Sequence, residues 1–314
     1  MKPKEILVFG ASGQIGRHLI RKLTKNNYKV TAVTRNLHHK GIILKTQANP
    51  GYLDIVEIKS FEYERISNLI KKSNIVINLV GILFEKKNGD FRKIHSLFPS
   101  MLAEICKKHN IDQLVHISAL GVDKVENSKY ALSKTEGEKK VRETFSRAVI
   151  LKPSIVYSVD DKFTTRFMTL LSLLPLMPIY YEGKTKFSPI HVSDLSNIIF
   201  QIINMKVLKS TIECVGPEIL SFKEILNKLL KSINKNRILL PLPYTIAKLS
   251  AKIFQLFPKP LLTVDQLNLL KYDNIQSGNF QTNNDLNISA KLRFDEEVKK
   301  YSFNWTRGGQ YAKK

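Results

Sequence analysis

Short apolar runs alternate with amphipathic segments along the first half of the chain, as a parallel sheet with crossover helices requires. The pattern predicts strands at 5–9, 29–34, 54–58, 75–80, 114–118 and 148–156. The intervening segments predict helices at 14–26, 62–72, 97–109 and 130–145. We therefore expect an α/β fold of the Rossmann type. Its sheet is doubly wound and parallel, carries helices on both faces, and binds a ligand at the carboxyl ends of its strands.

The second half is less regular and predicts a smaller C-terminal lobe that faces a substrate or a partner. Strands are predicted at 187–192 and 211–215, and a helix at 163–174. Ser193 or Asp194 is predicted to cap a helix that runs to 205, and Ser221 with Glu224 forms a capping-box sequence. We place an NAD(P)-binding Rossmann domain at 1–157 and the lobe at 158–314, with 211–216 returning to the main sheet.

Three glycines lie at the junction of the first predicted strand and the first predicted helix. Gly10 permits the tight turn, Gly13 lets the backbone approach a pyrophosphate, and Gly16 lets the helix pack against the sheet. The helix N-terminus offers free N–H groups to phosphates. We therefore predict a dinucleotide site in this loop, which is completed by Ser12, Gln14 and Ile15.

The end of the second predicted strand bears on the choice of cofactor. An NAD-specific protein usually has an acidic residue there, to accept from the ribose 2′-hydroxyl. This chain has Thr34 followed by Arg35, and a guanidinium binds a phosphate bidentately. We therefore predict that NADP(H) is preferred over NAD(H).

A serine, a tyrosine and a lysine follow at spacings typical of hydride-transfer enzymes. Ser118 ends the fifth predicted strand, and Tyr130 and Lys134 share one face of a helix. A nearby ammonium is expected to lower the pKa of Tyr130, which could then exchange a proton with a substrate oxygen. Ser118 could hold the same oxygen by a hydrogen bond.

With the glycine loop, this set resembles the short-chain dehydrogenase/reductase superfamily in its extended or atypical branch. Further segments resemble one family, the nucleotide-binding accessory subunit of respiratory complex I. These segments are VINLVG at 76–81, SALG at 118–121, KTEGE at 134–138, LKPSIVY at 151–157, FSPIHVSD at 187–194 and GP at 216–217. The tail adds LTVDQ at 262–266, LKYDN at 270–274 and GGQ at 308–310, which general reductases lack.

The resemblance implies a bound NADPH with a structural role. It assigns cofactor contacts to Gly10, Gly13, Gly16 and Arg35, and the nicotinamide side of the site to Gly81, Ser118, Tyr130, Lys134 and Pro153. Many relatives have an aspartate near the adenine after the third strand, where this chain reads Ile58-Lys59-Ser60. The adenine contact is therefore expected from the backbone or from Ser60.

The first functional hypothesis is an NADP(H)-binding accessory or assembly subunit of the membrane NADH:quinone oxidoreductase, complex I, docked on its cytoplasmic side. The alternative is an active NADP-dependent reductase, dehydrogenase or epimerase that uses Tyr130 on a carbonyl or quinone-related substrate. A nucleic-acid-binding or redox-sensing regulator of the same fold is a third class.

The charge favours anionic partners. Lys and Arg number 50 against 27 Asp and Glu, a formal net charge of +23, which lysine-rich composition could also explain. No arginine block with interleaved aromatics indicates nucleic-acid binding. The helix predicted at 244–257 is basic and amphipathic, so it could rest on an anionic membrane, fill a partner's groove or pack on its own core.

Other features limit the compartment and the chemistry. The chain's two cysteines, Cys106 and Cys214, lack a metal-type spacing, and the histidines are scattered, so we expect neither a disulfide nor a metal site. The longest apolar stretch, 170–181, is broken by Ser172 and two prolines, and no membrane span or cleaved signal is predicted. We expect a cytoplasmic protein, peripheral on the inner face of the cell membrane.

Overall fold

The computed structural model describes residues 4–255, 260 and 262–309. The strands of this part are β1 (Glu5–Phe9), β2 (Lys29–Thr34), β3 (Leu53–Glu57), β4 (Ile75–Asn78), β5 (Gln113–Ile117), β6 (Ala148–Pro153), β7 (Val156–Tyr157), β8 (Leu176–Ile179), β9 (Lys186–Phe187), β10 (Ile190–His191), β11 (Ser210–Cys214), β12 (Leu220–Ser221), β13 (Ile238–Pro241) and β14 (Gln281–Thr282). The α-helices are α1 (Gln14–Lys25), α2 (Leu37–Lys45), α3 (Tyr63–Ile70), α4 (Phe98–Lys108), α5 (Lys129–Thr144), α6 (Thr164–Leu173), α7 (Val192–Asn204), α8 (Phe222–Ser232), α9 (Tyr244–Phe254), α10 (Val264–Leu269) and α11 (Phe294–Lys299).

Eight strands form the main sheet, in the order β14-β11-β6-β5-β4-β1-β2-β3. Every neighbouring pair in it is parallel. The order reverses between β1 and β4, and ligands bind where such a reversal opens a crevice at the carboxyl ends. The predicted fold class is confirmed. β11 and β14, from the second half of the chain, extend the sheet beyond β6.

Alternate residues of the central strands pack on opposite layers. Val8 of β1 belongs to the core that includes Leu19 of α1 and Ile199 of α7. Leu7 belongs to the opposite core, with Phe98 of α4 and residues of α3 and α5. Because both faces are covered, the central strands are mostly apolar on both sides, as a parallel sheet requires, although His116 and Lys152 are also buried there.

A further hydrophobic core lies in the second half of the chain. Tyr157, Phe222 and Phe294 are buried there, together with apolar residues of α6 and α8. Two-stranded pairs join β7 to β10, β9 to β12 and β8 to β13. Ser221 and Glu224 form the predicted capping box at the start of α8.

Several boundaries differ from the prediction. α2 was not predicted, and the segment predicted as one strand at 187–192 is divided into β9 and β10 around Pro189. β6 ends at Pro153 rather than 156, because Val156 leaves the main sheet and pairs with Ile190. The helix predicted at 97–109 is preceded by a π-helical segment, Arg92–Leu97. α9 ends at Phe254 with Gln255 as its C-cap, and residues 256 and 257 of the predicted helix lie outside the described residues.

The predicted cap of α7 is wrong. The residue that caps this helix is His191, whose ring accepts a hydrogen bond from the backbone N–H of Ser193. Asp194 instead accepts from the backbone N–H groups of Lys291 and Leu292, at 3.0 and 2.9 Å. The local pattern assigned the Asp194 carboxylate to the start of α7, but Asp194 binds the C-terminal segment instead.

Candidate functional site

The loop between β1 and α1 is built for close approach. Gly10 has a φ of +76°, and a Cβ there would lie 2.9 Å from the backbone carbon of Leu79. A Cβ at Gly16 would overlap the carbonyl oxygen of Ala11. Gly13 begins α1 without a side-chain cap, and the first turn of the helix carries no acidic residue. The N-terminal N–H groups of α1 are therefore left for an anion, and the loop fits a pyrophosphate.

The other predicted loop residues lie around this turn. Ser12 accepts a hydrogen bond from the Thr34 hydroxyl at 3.4 Å, and Ile15 packs against the core between the sheet and α1. The Gln14 amide donates to the hydroxyl of Ser158 at 2.9 Å. The start of α1 is therefore fixed to the lobe on one side and to β2 on the other.

The predicted adenosine end of the site lies at the carboxyl ends of β2 and β3. Thr34 is buried, and Arg35 is exposed and makes no hydrogen bond or ion pair with any described residue. Ser60 is exposed, and its hydroxyl donates to Glu62. A guanidinium without a protein partner can bind a phosphate, so the residues present fit a nucleotide at this edge.

Gly81 and Lys134 are brought together on the other side of the crevice. A Cβ at Gly81 would lie 3.6 Å from Lys134 Nζ. The ammonium donates to the carbonyl of Ile117 at 3.1 Å, and burial lowers the pKa of Lys134 to about 8. Pro153, at the end of β6, accepts from the backbone N–H of Leu120 at 2.9 Å.

Tyr130 is half-buried and packs edge-on against the rings of Phe91 and His95. The sequence predicts that the Lys134 ammonium lowers the pKa of this tyrosine, and that prediction is wrong. Burial, reinforced by the negative charge of Asp265, raises the pKa of Tyr130 to about 12. At neutral pH the phenol is protonated, so it donates a hydrogen bond more readily than it removes a proton.

His95 holds the elements around Tyr130 together. Its Nε2 accepts from the backbone N–H of Ile82 at 3.1 Å, so its proton lies on Nδ1, which donates to Ser133 at 3.0 Å. The Ser133 hydroxyl in turn donates to the carbonyl of Tyr130. Burial lowers the pKa of His95 to about 2, and Lys134 adds to this effect. His95 is therefore neutral, and nothing in the sequence beyond the residue type indicated this role.

Ser118 lies beneath the crevice in a buried ionic network. Its hydroxyl donates to Glu138 of α5. Glu138 lies 3.5 Å from the ammonium of Lys152 on β6, and that ammonium donates to Asp123 at 2.7 Å. The Ser118 proton is thus taken by a protein carboxylate, and a bond from Ser118 to a substrate oxygen stays a prediction. Glu138 and Lys152 were not predicted as site residues.

The tail motif at 262–266 binds the helix that carries Tyr130. Asp265 accepts from the Ser128 hydroxyl at 2.8 Å and from the backbone N–H groups of Lys129 and Tyr130 at 2.6 and 3.3 Å. Ser128 is itself the N-cap of α5. A carboxylate at this position stabilises the positive end of the helix dipole.

The tail motif at 270–274 crosses the carboxyl ends of β5 and β6. The Asn274 amide donates to the carbonyl of Leu120 at 2.6 Å, and its side-chain oxygen accepts from Ser154 at 2.7 Å. Its backbone N–H donates to Lys186 at 2.7 Å. The tail is thus part of the site's framework.

The sequence is similar to a known protein family and to subunits of mitochondrial NADH dehydrogenase. Residues 6–212 match the NAD dependent epimerase/dehydratase family. The chain is 26% identical over 304 residues to the mitochondrial NADH dehydrogenase [ubiquinone] 1 alpha subcomplex subunit 9 of Mus musculus, covering 95% of this chain and 81% of that one. It is 24% identical over 283 residues to the mitochondrial NADH-ubiquinone oxidoreductase 40 kDa subunit of Neurospora crassa, covering 90% and 74%.

A solved structure shares the fold. The dTDP-glucose 4,6-dehydratase of Bacillus anthracis, in complex with NAD, superposes with a TM-score of 0.72 over 96% of each chain, at 16% identity. Among residues 4–255, 260 and 262–309, no helix is long and apolar enough to cross a bilayer.

Proposed function

The chain belongs to the NAD dependent epimerase/dehydratase family, and from that premise we propose that it is an NADP(H)-binding accessory or assembly subunit of the membrane NADH:quinone oxidoreductase, complex I. The observation that carries the proposal is the similarity to the mouse and Neurospora subunits over 95% and 90% of this chain. The Rossmann domain alone cannot account for that coverage. The tail, which contacts α5 through Asp265 and the loop after β5 through Asn274, lies within the region covered by that similarity.

The nucleotide is held as a structural group rather than turned over. The raised pKa of Tyr130, about 12, disfavours the phenolate that a proton-abstracting tyrosine needs at neutral pH. The Ser118 hydroxyl donates to Glu138 instead of into the crevice. Both observations favour retention of a cofactor over catalysis.

NADP(H) is the preferred nucleotide. Thr34 leaves the end of β2 without a carboxylate, and the exposed Arg35 has no partner among the described residues. A 2′-phosphate would supply that partner. The cofactor contacts assigned by sequence to the glycine loop, Arg35, Ser60, Gly81, Lys134 and Pro153 are part of this proposal.

α9 forms the surface that docks on the membrane or on a membrane subunit. It packs on the lobe through Ala247 and Ala251, which are buried. Ile246, Leu249 and Ile253 are 52%, 61% and 52% exposed, so this apolar side faces outward. Lys248 and Lys252 on the same helix suit an anionic lipid surface. The protein would then be peripheral on the inner face of the cell membrane.

Native electrophoresis of gently solubilised membranes tests the proposal. The chain should comigrate with NADH dehydrogenase activity and carry about one NADP(H) per copy. Tyr130→Phe should leave both unchanged, because the phenolic oxygen has no assigned reaction in a structural site. Absence from the complex, together with NADPH oxidation by the pure protein on a small carbonyl, would overturn the proposal in favour of the reductase.

A further inference from the structure

A carboxylate lies beside the predicted adenosine end of the site. It lies on β3, whereas the acidic residue of an NAD-specific protein is expected at the end of β2. Thr34, at the end of β2, is paired in register with Glu57, at the end of β3. The sequence leaves β2 without an acidic residue, but the parallel ladder places one on the adjacent strand.

The fold directs this carboxylate to the start of α2. Oε1 of Glu57 accepts from the backbone N–H of Leu37, the first residue of that helix, at 2.9 Å. Asn36 caps the same helix by accepting from the N–H of His39 at 3.0 Å. Glu57 therefore takes one of the N–H groups next to Arg35 that a phosphate could otherwise bind.

Glu57 is ionised at neutral pH. The hydrogen bond from Leu37 lowers the pKa of the carboxyl, and the positive charges of Lys59 and His38 lower it further. Lys59 Nζ lies 3.7 Å from the carboxylate and is mostly exposed, so this weak ion pair leaves the negative charge of Glu57 largely in place.

We propose that Glu57 is a specificity-determining residue of the nucleotide site, whose carboxylate opposes a 2′-phosphate while Arg35 attracts it. The inference rests on the proposed function, because it assumes that the adenosine lies over the ends of β2 and β3. The preference for NADP(H) over NAD(H) is then the difference between two opposed charges, and Glu57 limits it.

Two nucleotide fragments that differ only in the 2′-phosphate isolate the effect. Binding of 2′,5′-ADP and of 5′-AMP would be measured calorimetrically for wild type, Glu57→Gln and Glu64→Gln. The glutamine keeps an oxygen that can accept from Leu37, so α2 retains its contact. Glu64 lies on the exposed side of α3. Glu64→Gln is the control, because it removes the same charge from a position that makes no hydrogen bond to the start of α2.

Glu57→Gln should bind 2′,5′-ADP about three- to fivefold more tightly, the size expected for a partly screened pair of charges, with AMP affinity unchanged within twofold. At 1 M salt, Glu57→Gln and wild type should bind 2′,5′-ADP with nearly equal affinity, because salt screens the charges. Glu64→Gln should resemble wild type, and Arg35→Gln should weaken 2′,5′-ADP binding alone. Equal changes for both fragments, or weaker binding of 2′,5′-ADP to Glu57→Gln, would overturn the role of Glu57.

The same data separate this inference from the proposed function. Wild type that binds AMP as tightly as 2′,5′-ADP contradicts the NADP(H) preference. The role of Glu57 is decided by the change in the ratio of the two affinities on substitution, whatever its starting value. A protein that binds neither fragment contradicts both.

Discussion

Lys152 is 1% exposed, and its ammonium is neutralised by Asp123 and Glu138 beneath the crevice. We expect Lys152→Met to lower the free energy of unfolding by about 3 kcal/mol, because Glu138 would stay buried without its cation. Urea unfolding measures the loss. Lys139→Met, which removes a lysine that is 74% exposed, should change stability by less than about 0.5 kcal/mol. Equal effects of the two substitutions would contradict the structural role of the network.

His116 should make the fold sensitive to acid. Burial lowers its pKa to about 3, and Nε2 has no hydrogen-bond partner among the residues that the structure describes. The unfolded chain takes up a proton near pH 6.5 and the folded chain does not, so stability is lost as the pH falls below that value. One such histidine gives a loss of about 2 kcal/mol between pH 7 and pH 5.

Urea unfolding at pH 7, 6 and 5 tests this expectation. His95, with a pKa of about 2, contributes a loss of similar size. Burial also lowers the pKa values of His18 and His191, so His116→Gln should remove less than half of the combined loss. His38→Gln, on the exposed start of α2, serves as the control. A pH dependence that is the same in wild type and in His116→Gln would show that His116 does not set it.

At the scale of elements, Gly137 fixes how α5 meets the π-helical segment. A Cβ there would overlap the carbonyl oxygen of His95. Gly137→Ala should therefore cost about 3 kcal/mol or more, since backbone must move against backbone. In Gly41→Ala of α2 the new Cβ would meet only the end of the Leu37 side chain, at 3.1 Å. That control should be neutral or stabilising by up to about 1 kcal/mol, and thermal unfolding compares the two.

The same contact explains which elements the sequence could predict. β1, β2 and α1 follow local patterns, and the observed bounds agree within a residue. The π-helical segment packs against Gly137, some 40 residues later in the chain. The residues next to Arg92 in the sequence therefore do not predict it. α2 buries only Gly41 and Leu44, so it has no apolar period to detect. The spacing singled out the glycines and Lys134, whose cofactor roles stay a prediction. Glu138, Lys152 and Asp265 reach the crevice only through tertiary packing.

At the scale of the whole molecule, the tail and the sheet form one unit around the crevice. β14 pairs with β11, and Asp265 accepts a hydrogen bond from the backbone N–H of Tyr130, 135 residues earlier in the chain. The sequence predicted the contribution of the tail only through a family resemblance, because contacts over that distance leave no local pattern. A ligand bound at the crevice would therefore stabilise the lobe as well as the Rossmann domain.

The net charge of +23 and the apolar side of α9 act together in the proposed docking, and they can be separated. Wild type should sediment with anionic phosphatidylglycerol vesicles, and Leu249→Ser/Ile253→Ser should bind at least tenfold more weakly because two large apolar side chains no longer leave water. Ile42→Ser removes an equally apolar side chain that is 73% exposed on α2, and should bind as wild type does. Raising the salt concentration screens the charges and should weaken the vesicle binding of all three proteins. Binding that survives the double substitution but vanishes with salt would assign docking to the charge alone and overturn the role of α9.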